Sequence, residues 1–294
     1  MSVVLADLGG TNLRLARSDS PADIKTYQIK DFPAFETVLD DFESDISALY
    51  LASAVTPLGG IIEDDRFIKD AHWRIDLNAL AKRMHVKFLN DLEAAAYGLS
   101  ALNKKNLPVL LEASTPQAQF DHPPKLIVSV GTGIGHAYIF EKPGMPPFVQ
   151  RTHGGWITPF GIGAEHQKII DLVSDKTNLG RDTIMENIVS GHGLWMLQKE
   201  IGKEDATRLF WEFLGLYCNT LATASGAYGG IYLTGGIIDD MVSDKTIDTK
   251  SFEKFFIRPV VASVVESLSS VSVSYCHDIN LPVLGLSEYS KRHR

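Results

Sequence analysis

Residues 3–19 read VVLADLGGTNLRLARSD. The apolar run 3–6 spells a buried strand, and 13–17 spells its partner. The connection between them, from Asp7 through Gly9, Gly10, Thr11 and Asn12, is longer and more polar than a tight hairpin needs. Gly9 and Gly10 let the backbone approach a ligand with no Cβ in the way, and the N–H groups of such a turn attract anions. Thr11 and Asn12 add side-chain donors. Asp7, at the strand end, is placed to order a Mg²⁺ ion through water. A wide β-turn capped by Asp and Asn accounts for the same residues without any ligand. On this stretch alone the two readings stand level.

The theme returns in KLIVSVGTGIGHAYIF, residues 125–140. Gly131, Thr132 and Gly133 form a second turn between two apolar runs. Strand-like residues follow it, whereas a dinucleotide fingerprint would open a helix there. A bulged hairpin explains this turn by itself. Two such turns facing each other would make a clamp for a polyphosphate, and Gly133 would then be a point of close backbone approach to phosphate. In FLNDLEAAA, residues 88–96, Asn90 and Asp91 stand where a strand gives way to a helix. Both are ordinary N-cap residues, stabilising by about 1 kcal/mol. A carboxylate in that position can also accept a proton from a hydroxyl, and the two roles are compatible. YLTGGIIDD, residues 232–240, sets Gly235 and Gly236 after an apolar strand. A flat backbone there can lie against a purine ring, or simply turn from strand to helix.

Further strands are expected at 25–29, 48–55, 85–90 and 271–278. Helices are expected at 35–42, 75–84, 91–99, 164–173, 184–188, 205–225, 252–269 and 281–291. Residues 103–124 are polar, proline-bearing and weakly patterned, so a lobe boundary is placed near residue 104. With 294 residues the chain is long for one core. Two strand–turn–strand units, each leading into mixed α/β sequence, point to a duplicated α/β fold.

Composition narrows the function classes. The net charge is −8, from 28 basic and 36 acidic residues, which argues against a nucleic-acid partner. Two cysteines, Cys218 and Cys276, make neither a disulfide framework nor a cysteine zinc site. No apolar run reaches membrane-spanning length and no leader pattern opens the sequence, so a cytoplasmic location is expected. H-E-x-x-H, G-x-S-x-G and G-x-x-x-x-G-K-[ST] are all missing from the sequence.

The motifs come in one order: D-x-G-G-T-N-x-R-L, then N-D, then G-T-G-x-G, then E-x-x-x-S-G-x-G-L, then G-G after a strand. In that order the chain resembles the bacterial glucokinases of the hexokinase type, within the sugar kinase, actin and heat-shock chaperone superfamily. The resemblance runs nearly end to end. It implies a two-lobed actin-like ATPase fold, a duplicated ribonuclease H-like α/β architecture with an interlobe cleft. The small lobe would be residues 1–104, with a helix at 281–294 returning to it, and the large lobe 105–280. It further implies ATP and Mg²⁺ as cofactors and a hexose as substrate, phosphorylated at its 6-hydroxyl. Asp7, Gly9, Gly10, Thr11 and Asn12 would form the first phosphate loop. Gly131, Thr132 and Gly133 would form the second, and Gly235 and Gly236 the adenosine motif. Asp91 would be the catalytic base, with Asn90 beside it on the sugar and Glu186 as a further sugar ligand. A homodimer is also what the resemblance suggests.

Two departures from the family pattern stand out. The family's sugar loop reads G-E-G-G-H, and here the stretch is RTHGGWITPF, residues 151–160. His153 stands where the Glu is expected and Trp156 where the His is expected. Trp156 can stack on a sugar ring or pack in the core; His153 can pair with a hydroxyl or sit in an exposed loop. The segment between Gly193 and Phe213 is also shorter than usual in the family. The first departure bears on which hexose is used: glucose, another hexose or an amino sugar. A catalytically weak sugar or nucleotide sensor on the same fold is the alternative of a different class. The retained Asp91 and both phosphate loops favour the enzyme.

Overall fold

The computed structural model describes residues 2–63, 73–116, 121–258, 261–277 and 280–293. The chain divides into two compact units, Met1–Lys104 with Ile279–Arg294, and Lys105–Asp278.

The first unit is built on β1 (Ser2–Leu8), whose last five residues are all buried. Such a run fits a strand covered on both faces of its sheet. β2 (Asn12–Arg17) and β3 (Ser20–Gln28) extend it as an antiparallel meander. α1 (Phe35–Phe42) then leads to β4 (Ile46–Ser53), which runs parallel to β1. A short hairpin of β5 (Ile61–Ile62) and β6 (Ile75–Asp76) follows. The helix expected at 75–84 contracts to α2 (Leu77–Leu80). Residues 75 and 76 are taken by the strand, and the Asp76 carboxylate accepts the Ala79 N–H at 3.0 Å, so the helix starts after it. β7 (His85–Asn90) joins β4 in parallel and runs directly into α3 (Asp91–Ala101). The sheet order is β3-β2-β1-β4-β7.

The second unit repeats this plan. β8 (Val109–Leu111) lies in the stretch without clear pattern. β9 (Lys125–Val130), β10 (Ile134–Phe140) and β11 (Phe148–Arg151) form another antiparallel meander. The helices α4 (Gly163–Thr177), α5 (Gly191–Ile201) and α6 (Lys203–Ser225) come next. β12 (Ile231–Thr234) adds to β9 in parallel, followed by α7 (Gly236–Ser243), α8 (Thr249–Phe256), α9 (Ala262–Ser269) and β13 (Val273–Tyr275), parallel to β12. The order is β11-β10-β9-β12-β13-β8. Three antiparallel strands followed by two parallel ones occur in both sheets, with the glycine turn between the first two strands each time.

Two further expectations need correction here, and one helix was not expected. Residues 184–188 form a single 3₁₀ turn, Met185–Asn187, because the Asn187 side chain accepts the Ile184 N–H at 2.9 Å and closes the turn locally. The single helix expected over 252–269 is two, α8 and α9, since Ile257 and Val261 leave helical backbone angles. α5 was not anticipated; it opens on Gly191 and Gly193, and glycine is a poor helix former. The second core gathers around α6, where Phe210, Trp211, Phe213, Leu214 and Tyr217 are all essentially buried. Cys218 and Cys276 are buried and unbridged. Among the described residues no helix is long and apolar enough to cross a membrane.

α10 (Leu281–Arg292) belongs to the first unit and packs on α3. The two backbones touch through one glycine from each helix. A Cβ on Gly98 would meet the Leu281 carbonyl, and one on Gly285 would meet the Ala94 carbonyl. Tyr97 and Tyr289 meet edge to face at 5.2 Å beside this contact.

Candidate active site

In the first unit, the turn after β1 is closed by the Gly9 N–H donating to the Asn12 carbonyl at 2.9 Å. Gly10 and Thr11 are exposed at its tip. The Asn12 carboxamide oxygen accepts from the Gln28 side chain at 2.6 Å, and its nitrogen donates to the Thr11 hydroxyl at 3.2 Å. Asp7 faces Arg14 across the strand pair, with the guanidinium 3.1 Å from the carboxylate. The Asp7 side chain is almost fully buried, and burial pushes its pKa up to about 6 in spite of the arginine. The Asp91 carboxylate adds to the rise by like-charge repulsion.

Asp91 opens α3. The capping reading holds: the Asn90 carboxamide oxygen accepts the Leu92 N–H at 3.2 Å, and the Glu93 carboxylate accepts the Asn90 N–H at 3.4 Å. The Asn90 amide also donates to the Ser53 carbonyl at the end of β4, at 3.4 Å. The Leu92 N–H donates to the Asp91 carboxylate too, at 2.7 Å. Burial nevertheless raises the Asp91 pKa, against the lowering effect of these backbone donors. A carboxylate fixed at a helix start and made more basic by burial suits proton acceptance.

In the second unit, the turn after β9 is closed by the Gly131 N–H donating to the Gly133 carbonyl at 2.8 Å. The Gly191 N–H, at the start of α5, donates to the Gly131 carbonyl at 2.9 Å. Gly235, the N-cap of α7, lies against the Val130 backbone: a Cβ on it would come within 2.5 Å of the carbonyl oxygen. The N-termini of α5 and α7 therefore converge on the Gly131–Gly133 turn, and both bring partial positive charge. A Cβ at Gly131 or Gly236 would meet nothing within 4 Å. The protein's own packing does not demand glycine at either position.

Glu186 lies beside this turn. Its carboxylate accepts the Ile134 N–H at 3.2 Å. A Cβ on Gly133 would run into that carboxylate, so Gly133 makes room for Glu186 as well as for anything bound to the turn. The Met185 N–H donates to the Ile157 carbonyl at 2.8 Å, and Met185, Ile188 and Val189 are buried around it. Ser190 then caps α5, accepting the Gly193 N–H at 3.1 Å. The loop around Gly154 and Gly155 lies on the same patch: a Cβ on Gly155 would meet the Ile134 carbonyl and pass 3.3 Å from the Glu186 carboxylate. His153 is exposed and Trp156 is 67% exposed, so Trp156 is not core packing.

The structure thus gathers Asp7, Asn90 and Asp91 in one unit, and Gly131, Thr132, Gly133, Glu186, the 153–156 loop, Gly235 and Gly236 in the other. Sequence reasoning gave no role to Arg14, Ser190 and Gly191, which stand within the quoted motifs, and passed over His136. Arg14 was readable in principle, because strand pairing about a turn sets it opposite Asp7. Among the described residues no three carboxylate, imidazole or thiol groups are grouped to hold a metal ion. A single carboxylate such as Asp7 suits Mg²⁺, which keeps most of its waters and binds through substrate phosphates.

A glucokinase family model matches residues 4–208. The chain belongs to the glucokinase family. It is 24% identical over 328 residues to a glucokinase-like protein of Xylella fastidiosa, covering 98% of this chain and 94% of the relative. A glucokinase of Nostoc is 24% identical over 326 residues, covering 90% and 94%. Among solved structures, a glucokinase from an Antarctic psychrotroph superposes with a TM-score of 0.77 at 18% identity, covering 99% of both chains. A glucokinase of Balamuthia mandrillaris in complex with glucose superposes at 0.74 with 23% identity, covering 99% of this chain and 93% of that one. The glucokinase-family chain has the two-lobed actin-like ATPase fold and is an ATP-dependent hexose kinase.

Proposed function

We propose that the protein transfers the γ-phosphoryl group of ATP to the 6-hydroxyl of glucose. The observation that carries this reading is the seat of Glu186. Its carboxylate is held against Gly133, Ile134 and Gly155, beside the glycine turn that would take phosphate. One fixed group would thereby tie the sugar to the phosphate-binding backbone. Phosphoryl transfer needs the phosphates held, their charge offset and the hydroxyl aimed in line. The backbone N–H groups of the two turns and the N-termini of α5 and α7 serve the first need. Mg²⁺, when bound, would supply charge neutralisation, and Asp7 is the residue that would hold it. Asp91 accepts the hydroxyl proton as attack proceeds, and Asn90 orients the sugar beside it. No covalent enzyme intermediate is required.

A second reading has a specific observation behind it. His153 and Trp156 replace the family's anionic and imidazole sugar contacts, and both are exposed in the loop. An imidazole offers one donor and one acceptor where a carboxylate offers acceptors alone. An exposed indole offers a flat apolar face. That pairing favours a sugar altered at the hydroxyls which the loop faces, such as an amino sugar or a mannose-type hexose.

A coupled ADP-release assay with ATP and Mg²⁺ across a panel of hexoses separates these readings. Glucose turnover with a weak KM is expected. Faster turnover of mannose or an amino sugar would favour the second reading. Sugar binding by calorimetry with no ADP release from any hexose would overturn both in favour of a sensor.

A further inference from the structure

β10 carries His136, which is 3% exposed and has no part in the mechanism above. Its Nδ1 lies 2.8 Å from the Tyr217 hydroxyl on α6, and its Nε2 lies 2.9 Å from the Thr152 hydroxyl. Thr152 begins the glycine loop. Its hydroxyl also contacts the His136 carbonyl at 3.0 Å and accepts the Gly154 N–H at 3.3 Å. A Cβ on Gly154 would collide with the His136 ring and come within 2.9 Å of the Tyr217 hydroxyl. The loop backbone is therefore laid directly on the imidazole.

Burial lowers the His136 pKa to about 4, so the ring is neutral near pH 7, with one donor and one acceptor nitrogen. One arrangement gives every buried proton an acceptor. The Tyr217 hydroxyl donates to Nδ1. The protonated Nε2 donates to Thr152. The Thr152 hydroxyl donates to the His136 carbonyl. The opposite tautomer would aim Nδ1–H at Tyr217 and leave the tyrosine's own proton without this acceptor. The chain thus runs one way, from the α6 core to the loop.

We propose that His136 is a positioning residue for the sugar, holding the 152–156 loop through Thr152 in the shape that presents residues 153 and 156 to the hexose. This rests on the reading that the loop contacts the sugar. With Gly154 pinned on the imidazole and Gly155 on the Ile134 carbonyl, the side chains at 153 and 156 are the variable parts of a fixed frame. Sugar preference is then set on a preorganised backbone.

Thr152→Val keeps the shape and removes the hydroxyl that serves three hydrogen bonds, whereas Thr152→Ser keeps the hydroxyl. His136→Gln keeps a donor that can reach residue 152. In the ADP-release assay, Thr152→Val should raise the hexose KM about tenfold, as for loss of one well-placed hydrogen bond. The ATP KM should stay unchanged and kcat should move less than the hexose KM. Thr152→Ser should restore the parent KM, and His136→Gln should fall between. Amide hydrogen exchange in the absence of sugar gives a readout independent of activity: Gly154 should lose protection in Thr152→Val and regain it in Thr152→Ser. Lost protection with an unchanged hexose KM overturns the proposal, as does a fall in kcat alone or an equal rise in the ATP KM. Unchanged protection overturns the seat itself. If the parent neither turns over nor, by calorimetry, binds any hexose, the reading of the loop as a sugar contact fails, and the exchange data then show only a structural seat.

Discussion

Gly133 lies so close to Glu186 that a single added methyl group would occupy the space of the carboxylate. The glycine of the second turn thus has two neighbours to accommodate, a bound phosphate in the sequence reading and the Glu186 carboxylate in the structure. Gly133→Ala should therefore damage sugar binding first. The expected outcome is a hexose KM raised about tenfold or more, as for a lost charge-assisted hydrogen bond worth about 1.5–3 kcal/mol, with nucleotide affinity reduced less. Isothermal titration with each ligand separates the two. A loss confined to nucleotide would mean that Glu186 moves aside without consequence.

Asp91→Asn should leave folding nearly unchanged, because Asn90 supplies the cap and an Asn side chain can still accept the Leu92 N–H. Phosphoryl transfer should fall by a factor of about 10²–10⁴. In the parent, kcat/KM should decline as Asp91 is protonated, with the acid limb above the ordinary carboxylate range because burial raises this group. Turnover within a few-fold of the parent would remove Asp91 from the role of base.

Asp7 gives a pH-dependent stability whose sign follows from its raised pKa of about 6 against an ordinary value of 3.8. The neutral form is favoured in the fold, so the stabilising contribution is complete below about pH 4 and is lost as pH rises through about 6. At pH 7 the ionised carboxylate costs roughly 3 kcal/mol. Asp7→Asn should then raise the melting temperature at pH 7–8 and leave it unchanged near pH 4, while turnover drops. A melting-temperature difference that is flat from pH 4 to 8 would contradict this account.

The helix pair α3 and α10 offers a test of packing. Alanine in place of an exposed helical glycine stabilises by about 1 kcal/mol. Gly285→Ala should do the reverse, since its methyl would enter the Ala94 carbonyl, and overpacking costs about 1–3 kcal/mol. Denaturant melts read the sign directly. A gain in stability would show that the helices separate at little cost.

The double variant His153→Glu with Trp156→His restores the family's loop residues. If the loop contacts glucose, its KM should fall by about one to two decades, matching a charge-assisted hydrogen bond of about 1.5–3 kcal/mol. A parent KM that is already tight, with no gain in the variant, would place the sugar's main contacts elsewhere.

Much of this was readable from the chain because it is written in contiguous words. Asp7–Asn12 and Asn90–Asp91 each sit where a strand ends, and apolar runs mark those ends plainly. α1 and β7 begin and end where the pattern places them. The contact of Gly133 with Glu186 was not readable, because it joins a strand turn to a 3₁₀ turn far along the sequence. The same holds for His136, whose partners lie on a loop and on α6. α5 escaped notice because Gly191 and Gly193 are required by neighbours in space and so mask a helix start. Trp156 could not be assigned from sequence, because a lone aromatic after two glycines carries no period.

The seat of α10 on α3 also dictates an order of events during synthesis. α3 ends at Ala101 and α10 begins at Leu281, and the whole of the second unit is encoded between them. As the chain leaves the ribosome, the helix that carries Asp91 waits for its packing partner until the second unit has emerged. The second unit is contiguous in sequence and can close on itself first. A nascent chain interrupted before residue 281 would therefore hold a finished second unit beside a first unit with the α10-facing side of α3 uncovered. Apolar surface left open in that way is the kind that chaperones and proteases inspect.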